Sequence, residues 1–215
     1  MGGGIGREEG ERVPGRGDPR AALLEAILGV AGKYRFRNTH VHLVAAEAAM
    51  PRDSFYEYFR NLDHCFIAAY EWKAYDLCAA MLRAGRQGSD WPAGLRVSLS
   101  VLLEFVAEQP HTATALIVEG GGAASITGPI HASVLKRLAR ALDSARRQPG
   151  SRHSAPPLTA DLMVGAINNT LHGLLVKGES ARAPDLLGDY TYLIMLAFFG
   201  EDMAYREKDA AEGGA

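Results

Sequence analysis

The sequence predicts an all-α protein, and three observations predict it. Apolar residues recur at three- and four-residue spacing through most of the chain. Alternating apolar and polar runs, the mark of half-buried strands, are almost absent. Proline, asparagine and glycine fall where such apolar stripes begin and end. With 215 residues, 47% of them hydrophobic and 22% charged, the chain can bury a sizeable core and is too apolar for wholesale disorder.

Residues 1–19 are rich in Gly, Arg and Glu and read as a disordered tail. Arg7, Arg12, Arg16 and Arg20 form a candidate DNA-touching arm, offset by Glu8, Glu9, Glu11 and Asp18. Leu23, Ile27, Val30, Ala31 and Tyr34 mark a first helix. Val41, Val44, Ala45 and Ala48 mark a short second helix starting near Thr39. A third runs from Pro51 to Tyr58, with Pro51 in the first turn, where its missing N–H costs nothing, and Phe55 and Phe59 facing inward. Asn61 caps a long fourth helix, about Asp63 to Arg86, and Trp91-Pro92 opens a fifth that extends to Gln109. Pro110 interrupts the pattern, and His111 to Glu119 is a shorter helix stopped by Gly120, Gly121 and Gly122. Further helices are expected over 128–147, 158–177 and 184–199, with a loose linker over Gln148–Pro157 and a flexible tail over 204–215.

Composition narrows the function class. The net charge of −2 is silent about nucleic acid, since local charge decides phosphate binding. Cys65 and Cys78 are the two cysteines and have no CxxC spacing, which argues against a disulfide framework or a zinc site and suits a reduced cytoplasm. His40 and His42, two apart, are expected on different sides of a helix and form no metal pair. No run of about eighteen apolar residues suggests a membrane span, and the first residues lack the apolar core of a signal peptide. Glu119 to Ser125 is glycine-rich but lacks the GK[ST] ending and preceding strand of a phosphate loop. No cofactor is expected.

Residues 20–62 give three helices of unequal length before a long one, with only a few residues around Ala49 and Met50 joining the second and third. That is the geometry of a helix-turn-helix. Here the sequence resembles the TetR family of bacterial regulators. Leu23-Leu24-Glu25-Ala26-Ile27 is similar to the family's first helix, and Val44-Ala45-Ala46-Glu47-Ala48 to its second. Phe55-Tyr56-Glu57-Tyr58-Phe59 is similar to its aromatic signature. The resemblance covers about fifty residues. It departs at Ala49, where the family usually has the turn glycine, at Pro51 for a capping serine, at His40 for a threonine, and at Leu62 for a lysine.

The resemblance implies a homodimer that binds a palindromic operator in double-stranded DNA, probed by Arg37, Thr39, His40, Arg52, Asp53, Ser54, Tyr56, Tyr58 and Arg60. Tyrosine hydroxyls suit phosphate oxygens, Arg37 and Arg60 release counterions, and Arg52 suits a guanine edge. Six Lys and Arg against four Asp and Glu between Arg20 and Leu62 is a small excess, so charge alone does not carry this reading. The body, residues 63–203, is expected to hold an unidentified small-molecule effector in an apolar pocket, with Tyr70, Phe105, His111, Glu119, Asn168, Asn169 and His172 as candidate polar and aromatic contacts. The last two long helices, with Leu162, Ile167, Leu171, Leu174 and Leu175 and then Tyr190, Leu193, Ile194, Ala197 and Phe198, would pair in the dimer and also serve the core. Ligand release of a repressor is the expected function, with the fourth helix as lever. Two other readings are a helical scaffold without DNA affinity and a small enzyme using His111, Glu119 or His131. No catalytic residues are assigned, because no nucleophile, base and orienting group stand together.

Overall fold

The computed structural model describes residues 18–121, 125–152 and 155–213, and these form helices and turns without a strand. Helix α1 (Pro19–Tyr34) starts where the Asp18 carboxylate accepts the Arg20 N–H at 2.9 Å, with Pro19 at the first helical position. It buries Leu23, Leu24, Ala26, Ile27, Leu28, Val30 and Ala31 on several sides, as a helix enclosed by both head and body must. A 3-10 turn (Phe36–Asn38) leads to α2 (Val41–Glu47), and a second (Arg52–Ser54) runs into the single turn α3 (Phe55–Tyr58). The expected third helix is therefore a 3-10 turn and one α turn, and Pro51 stands before it in extended backbone rather than inside it. Likewise α2 begins at Val41, because His40 is extended.

Helix α4 (Leu62–Gly85) is capped as expected by Asn61, whose side chain accepts the His64 N–H at 2.8 Å. Helix α5 (Trp91–Glu108) is capped by Asp90 through the Ala93 N–H. The two pack closely at Gly85 and Gly94, where a Cβ on Gly94 would lie 2.2 Å from the Gly85 carbonyl oxygen. Pro110 opens α6 (Pro110–Thr114), which widens into a π-helical turn over Ala115–Glu119. Next come α7 (Gly128–Asp143) with a 3-10 extension to Arg147, then α8 (Thr159–Lys177), ended by Gly178 in the left-handed conformation. The last two are α9 (Leu187–Phe198) and α10 (Glu201–Glu212).

Two expectations about loose segments are corrected. Residues 204–215 do not form a tail from their start: α10 folds back on α9, burying Ala204, Glu207 and Ala211. An Arg96–Glu207 ion pair ties it to α5, and Lys208 bonds Asp189 at 2.8 Å. The 148–157 linker is held where it is described, since the Arg152 N–H donates to the Phe198 carbonyl and Arg146 reaches the Ala155 and Pro156 carbonyls. The arm residues Arg7, Arg12 and Arg16 lie outside the described residues.

One core runs from head to body, from Leu23, Ile27, Phe55 and Phe59 through Phe66 and Tyr70 to Leu103, Leu116, Leu171, Ile194 and Phe198. Backbone meets backbone between α1 and α6, where a Cβ on Gly32 would sit 1.8 Å from the His111 carbonyl oxygen.

Candidate nucleic-acid interface and ligand cavity

The α2–α3 unit separates two faces within a few residues. Phe55 and Phe59 are fully buried, their rings 5.9 Å apart, while Arg52, Asp53, Glu57 and Arg60 are exposed and Tyr56 is 51% exposed. Ser54 and Tyr58 are half-buried, and Arg37 is exposed on the preceding turn. The turn between the helices contains Ala49 at φ 53°, with the Met50 N–H bonded to the Ala45 carbonyl at 2.9 Å. A left-handed conformation costs an L-residue with a Cβ roughly 1–2 kcal/mol, so glycine would suit this site better than alanine.

His40, Val41, His42, Arg52 and Leu62 surround one surface depression. The two histidine rings are stacked, 5.7 Å apart with planes 9° from parallel. The expectation that they face different sides fails because His40 has φ −131° and ψ 149°, so helical spacing does not apply between them. Sequence reasoning misses His42 at this depression, since its position two residues after His40 is its only sequence signal. Thr39 is corrected in the other direction: it is 4% exposed, and its hydroxyl donates to the Arg35 carbonyl, so it shapes the turn instead of facing outward. Among the described residues no group of three or more His, Cys, Asp or Glu can hold a metal ion.

The body encloses a cavity of about 380 Å³ between α4, α5, α7, α8 and the π turn, with one wall contact from α9. Leu77, Met81, Leu95, Leu99, Leu102 and Val134 typify its wall. At one end the Tyr70 hydroxyl donates to the Leu116 carbonyl at 3.0 Å and lies 2.7 Å from His131 Nδ1. Because a carbonyl carries no proton, the phenol proton goes to Leu116 and His131 donates from Nδ1. Burial pushes the Tyr70 phenol pKa up and the His131 pKa below its ordinary value, so both groups are neutral near pH 7. Gly120 makes room for this pair, as a Cβ there would lie 1.9 Å from the Tyr70 ring.

Of the seven ligand candidates, Tyr70 and Asn168 line this cavity. The other five do not. Phe105 is buried in the core with the Lys73 ammonium over its ring, His111 is exposed and gives its backbone to Gly32, and Asn169 is exposed. His172 is half-buried away from the wall. Glu119 turns toward the head, where its carboxylate accepts from the Arg35 guanidinium at 2.8 Å and from the Phe36 N–H at 3.0 Å. Its backbone continues the same π turn that supplies Leu116 and Ile117 to the cavity wall, so one short segment touches both sites. Arg35 itself adopts φ 73° and ψ 144°, a conformation seldom used outside glycine.

The apolar residues of α8 and α9, with Leu158 just before α8, are part buried and part exposed. Leu171, Leu175, Tyr190, Ile194 and Phe198 are buried within the chain, whereas Leu158, Leu162, Val176, Leu193 and Leu196 are exposed by 37–68%.

The chain thus joins a helix-turn-helix head rooted in α4 to an all-helical body with an internal cavity. More particularly, the chain has the fold of the TetR-type transcriptional regulators. The fatty acid degradation regulator FadR of Bacillus halodurans is 14% identical with a TM-score of 0.74, the match covering 85% of this chain and 97% of that one. The FadR of Bacillus subtilis in complex with stearoyl-CoA is 14% identical with a TM-score of 0.70, covering 81% and 96%. A TetR family regulator of Marinobacter aquaeolei is 19% identical with a TM-score of 0.66, covering 84% and 95%. No protein-family model and no curated protein matches the chain.

Proposed function

We propose that the protein is a dimeric transcriptional regulator that binds a palindromic operator and leaves it when a small-molecule ligand fills the body cavity. The observation that carries this reading is the split α2–α3 unit: Phe55 and Phe59 anchor it while Arg52, Tyr56 and Arg60 stay free to meet DNA. Arg52 is the base-reading candidate; Tyr56, Arg37 and Arg60 are the phosphate candidates, joined by His40 and His42 at the start of α2. Asp53, Ser54 and Tyr58 are adjacent and would orient these groups.

Dimerisation follows from the operator geometry, since two heads must be held about one DNA turn apart. The exposed Leu162 on α8, Leu158 just before it, and Leu193 and Leu196 on α9 supply an apolar face for a second copy. Switching needs a ligand that favours one spacing of the heads over the other. Two routes reach the head from the cavity: α4, which begins in the head and lines the cavity from Tyr70 on, and the π turn, which ends at Glu119.

The test is fluorescence anisotropy of the purified protein on DNA from upstream of its own gene, at several salt concentrations and beside Arg52→Ala and Tyr56→Phe. Tight, salt-dependent binding that Arg52→Ala weakens by roughly 1–3 kcal/mol supports the reading. Binding no stronger than to a random duplex, at every salt concentration, counts against it and favours a helical scaffold.

A further inference from the structure

We infer that the cavity takes a single long hydrocarbon chain bearing an anionic head, seated with the head at Arg86 and the tail end at Tyr70. This deepens the regulator reading above and rests on it for the consequence of binding, though not for binding itself.

Shape is the first argument. The lining residues run along α4 from Tyr70 to Arg86, the residue just past its end, a span of about 24 Å at 1.5 Å per residue. One leaflet of a bilayer core is about 15 Å deep, so this length holds a full acyl chain and its head. The Tyr70 end is closed, with Tyr70, Leu116 and Ile117 all at most 9% exposed, whereas Arg86 is exposed at the other.

The wall chemistry is the second argument. Most polar groups of the wall are already bonded within the protein: the Ser98 hydroxyl donates to the Met81 carbonyl at 2.8 Å, Ser144 accepts from the Trp91 indole at 3.0 Å, and Tyr70 is held by Leu116 and His131. They ask nothing of a ligand, and a polar group placed beside them would lose its water without a partner. Arg86 is the one charged residue of the wall, and its guanidinium has no hydrogen-bond or ion-pair partner among the described residues. At the closed end burial keeps His131 neutral, so no positive charge there competes for the head. Asn168, half-buried in the same wall, would bond a carbonyl or hydroxyl of the ligand.

A free fatty acid and an acyl thioester of a larger anionic carrier share this chemistry. The experiment uses full-length protein freed of bound lipid and a naturally fluorescent polyene fatty acid as probe. The probe is displaced by saturated fatty acids of increasing length, by the matching alcohols, and by stearoyl-CoA. Affinity should rise about fourfold per added methylene until the cavity is full, and the acid should outbind the alcohol of equal length. Arg86→Ala should erase that acid preference while leaving alcohol affinity unchanged, and Leu99→Trp should block acid and alcohol alike. Stronger binding of stearate identifies the free acid; stronger binding of stearoyl-CoA identifies the thioester. Affinity indifferent to chain length, or an acid preference that survives Arg86→Ala in folded protein, overturns the inference. DNA anisotropy on the same samples separates the two readings: DNA binding without chain binding sinks only the ligand class, and chain binding without DNA binding sinks only the regulator.

Discussion

Replacing Glu119 with alanine removes the contact that joins the π turn to the head, and its cost can be worked from the geometry. Two bonds are lost, from Arg35 at 2.8 Å and from the Phe36 N–H at 3.0 Å. The Arg35 side chain is 48% exposed, so screening limits the ion pair to about 1 kcal/mol or less. The bond to the half-buried Phe36 N–H is charge-assisted and leaves a backbone donor unpaired when it goes, a cost of about 1.5–3 kcal/mol. Together Glu119→Ala should cost about 1.5–4 kcal/mol, which lowers Tm by about 3–16 °C in a chain of this size. Glu119→Gln keeps an oxygen for Phe36 and loses mainly the charge, so its Tm should fall by about 2–4 °C. Arg35→Gly in the Glu119→Ala background should recover part of the loss, because glycine adopts φ 73° without strain. Thermal unfolding followed by circular dichroism measures all three. The reasoning is refuted if Glu119→Ala melts within about 1 °C of the parent, or if the glutamine variant loses as much as the alanine.

Three further predictions concern other parts of the chain. Ala49→Gly should raise Tm by about 1–4 °C, since relief of the left-handed alanine outweighs the added freedom of the unfolded glycine; a lower Tm would show the turn is unstrained. His131 has a folded-state pKa below its unfolded value, so below about pH 6.5 the unfolded chain binds the proton first and stability falls as pH drops. His131→Gln should lose less Tm than the parent between neutral and mildly acidic pH, and an identical loss would remove His131 from the account. Leu162→Arg with Leu193→Arg should turn a dimer into a folded monomer in sedimentation velocity, as both side chains are about half exposed or more in the single chain; an unchanged dimer would place the interface elsewhere.

The helices were legible in the sequence because their signals are local. Asn61, Trp91-Pro92 and Gly178 act on neighbouring backbone, and the buried stripes repeat at helical spacing. What escaped depends on distant partners. The α10 helix has low apolar content and is held by Glu207 and Lys208, whose partners Arg96 and Asp189 lie on α5 and α9. Read from sequence, Glu119 is a polar candidate for the cavity, and no local pattern says that its carboxylate reaches Arg35, 84 positions earlier. The cavity itself is built from leucines that, read singly, are ordinary core, and Arg86 is noticed only once α4 is seen to line the space end to end. Ala49 lies between these cases: the resemblance implies glycine at its position, and its φ of 53° supplies the physical reason.

The most direct test of the central claim is selection of binding sites from a pool of random DNA duplexes by the intact protein, followed by a salt titration on the enriched sequence. The account predicts a two-fold symmetric site with half-sites about one helical turn apart, affinity that falls steeply with salt, and one base position relaxed by Arg52→Ala. A pool that stays unenriched, with binding indifferent to sequence while the protein is folded and dimeric, would contradict it.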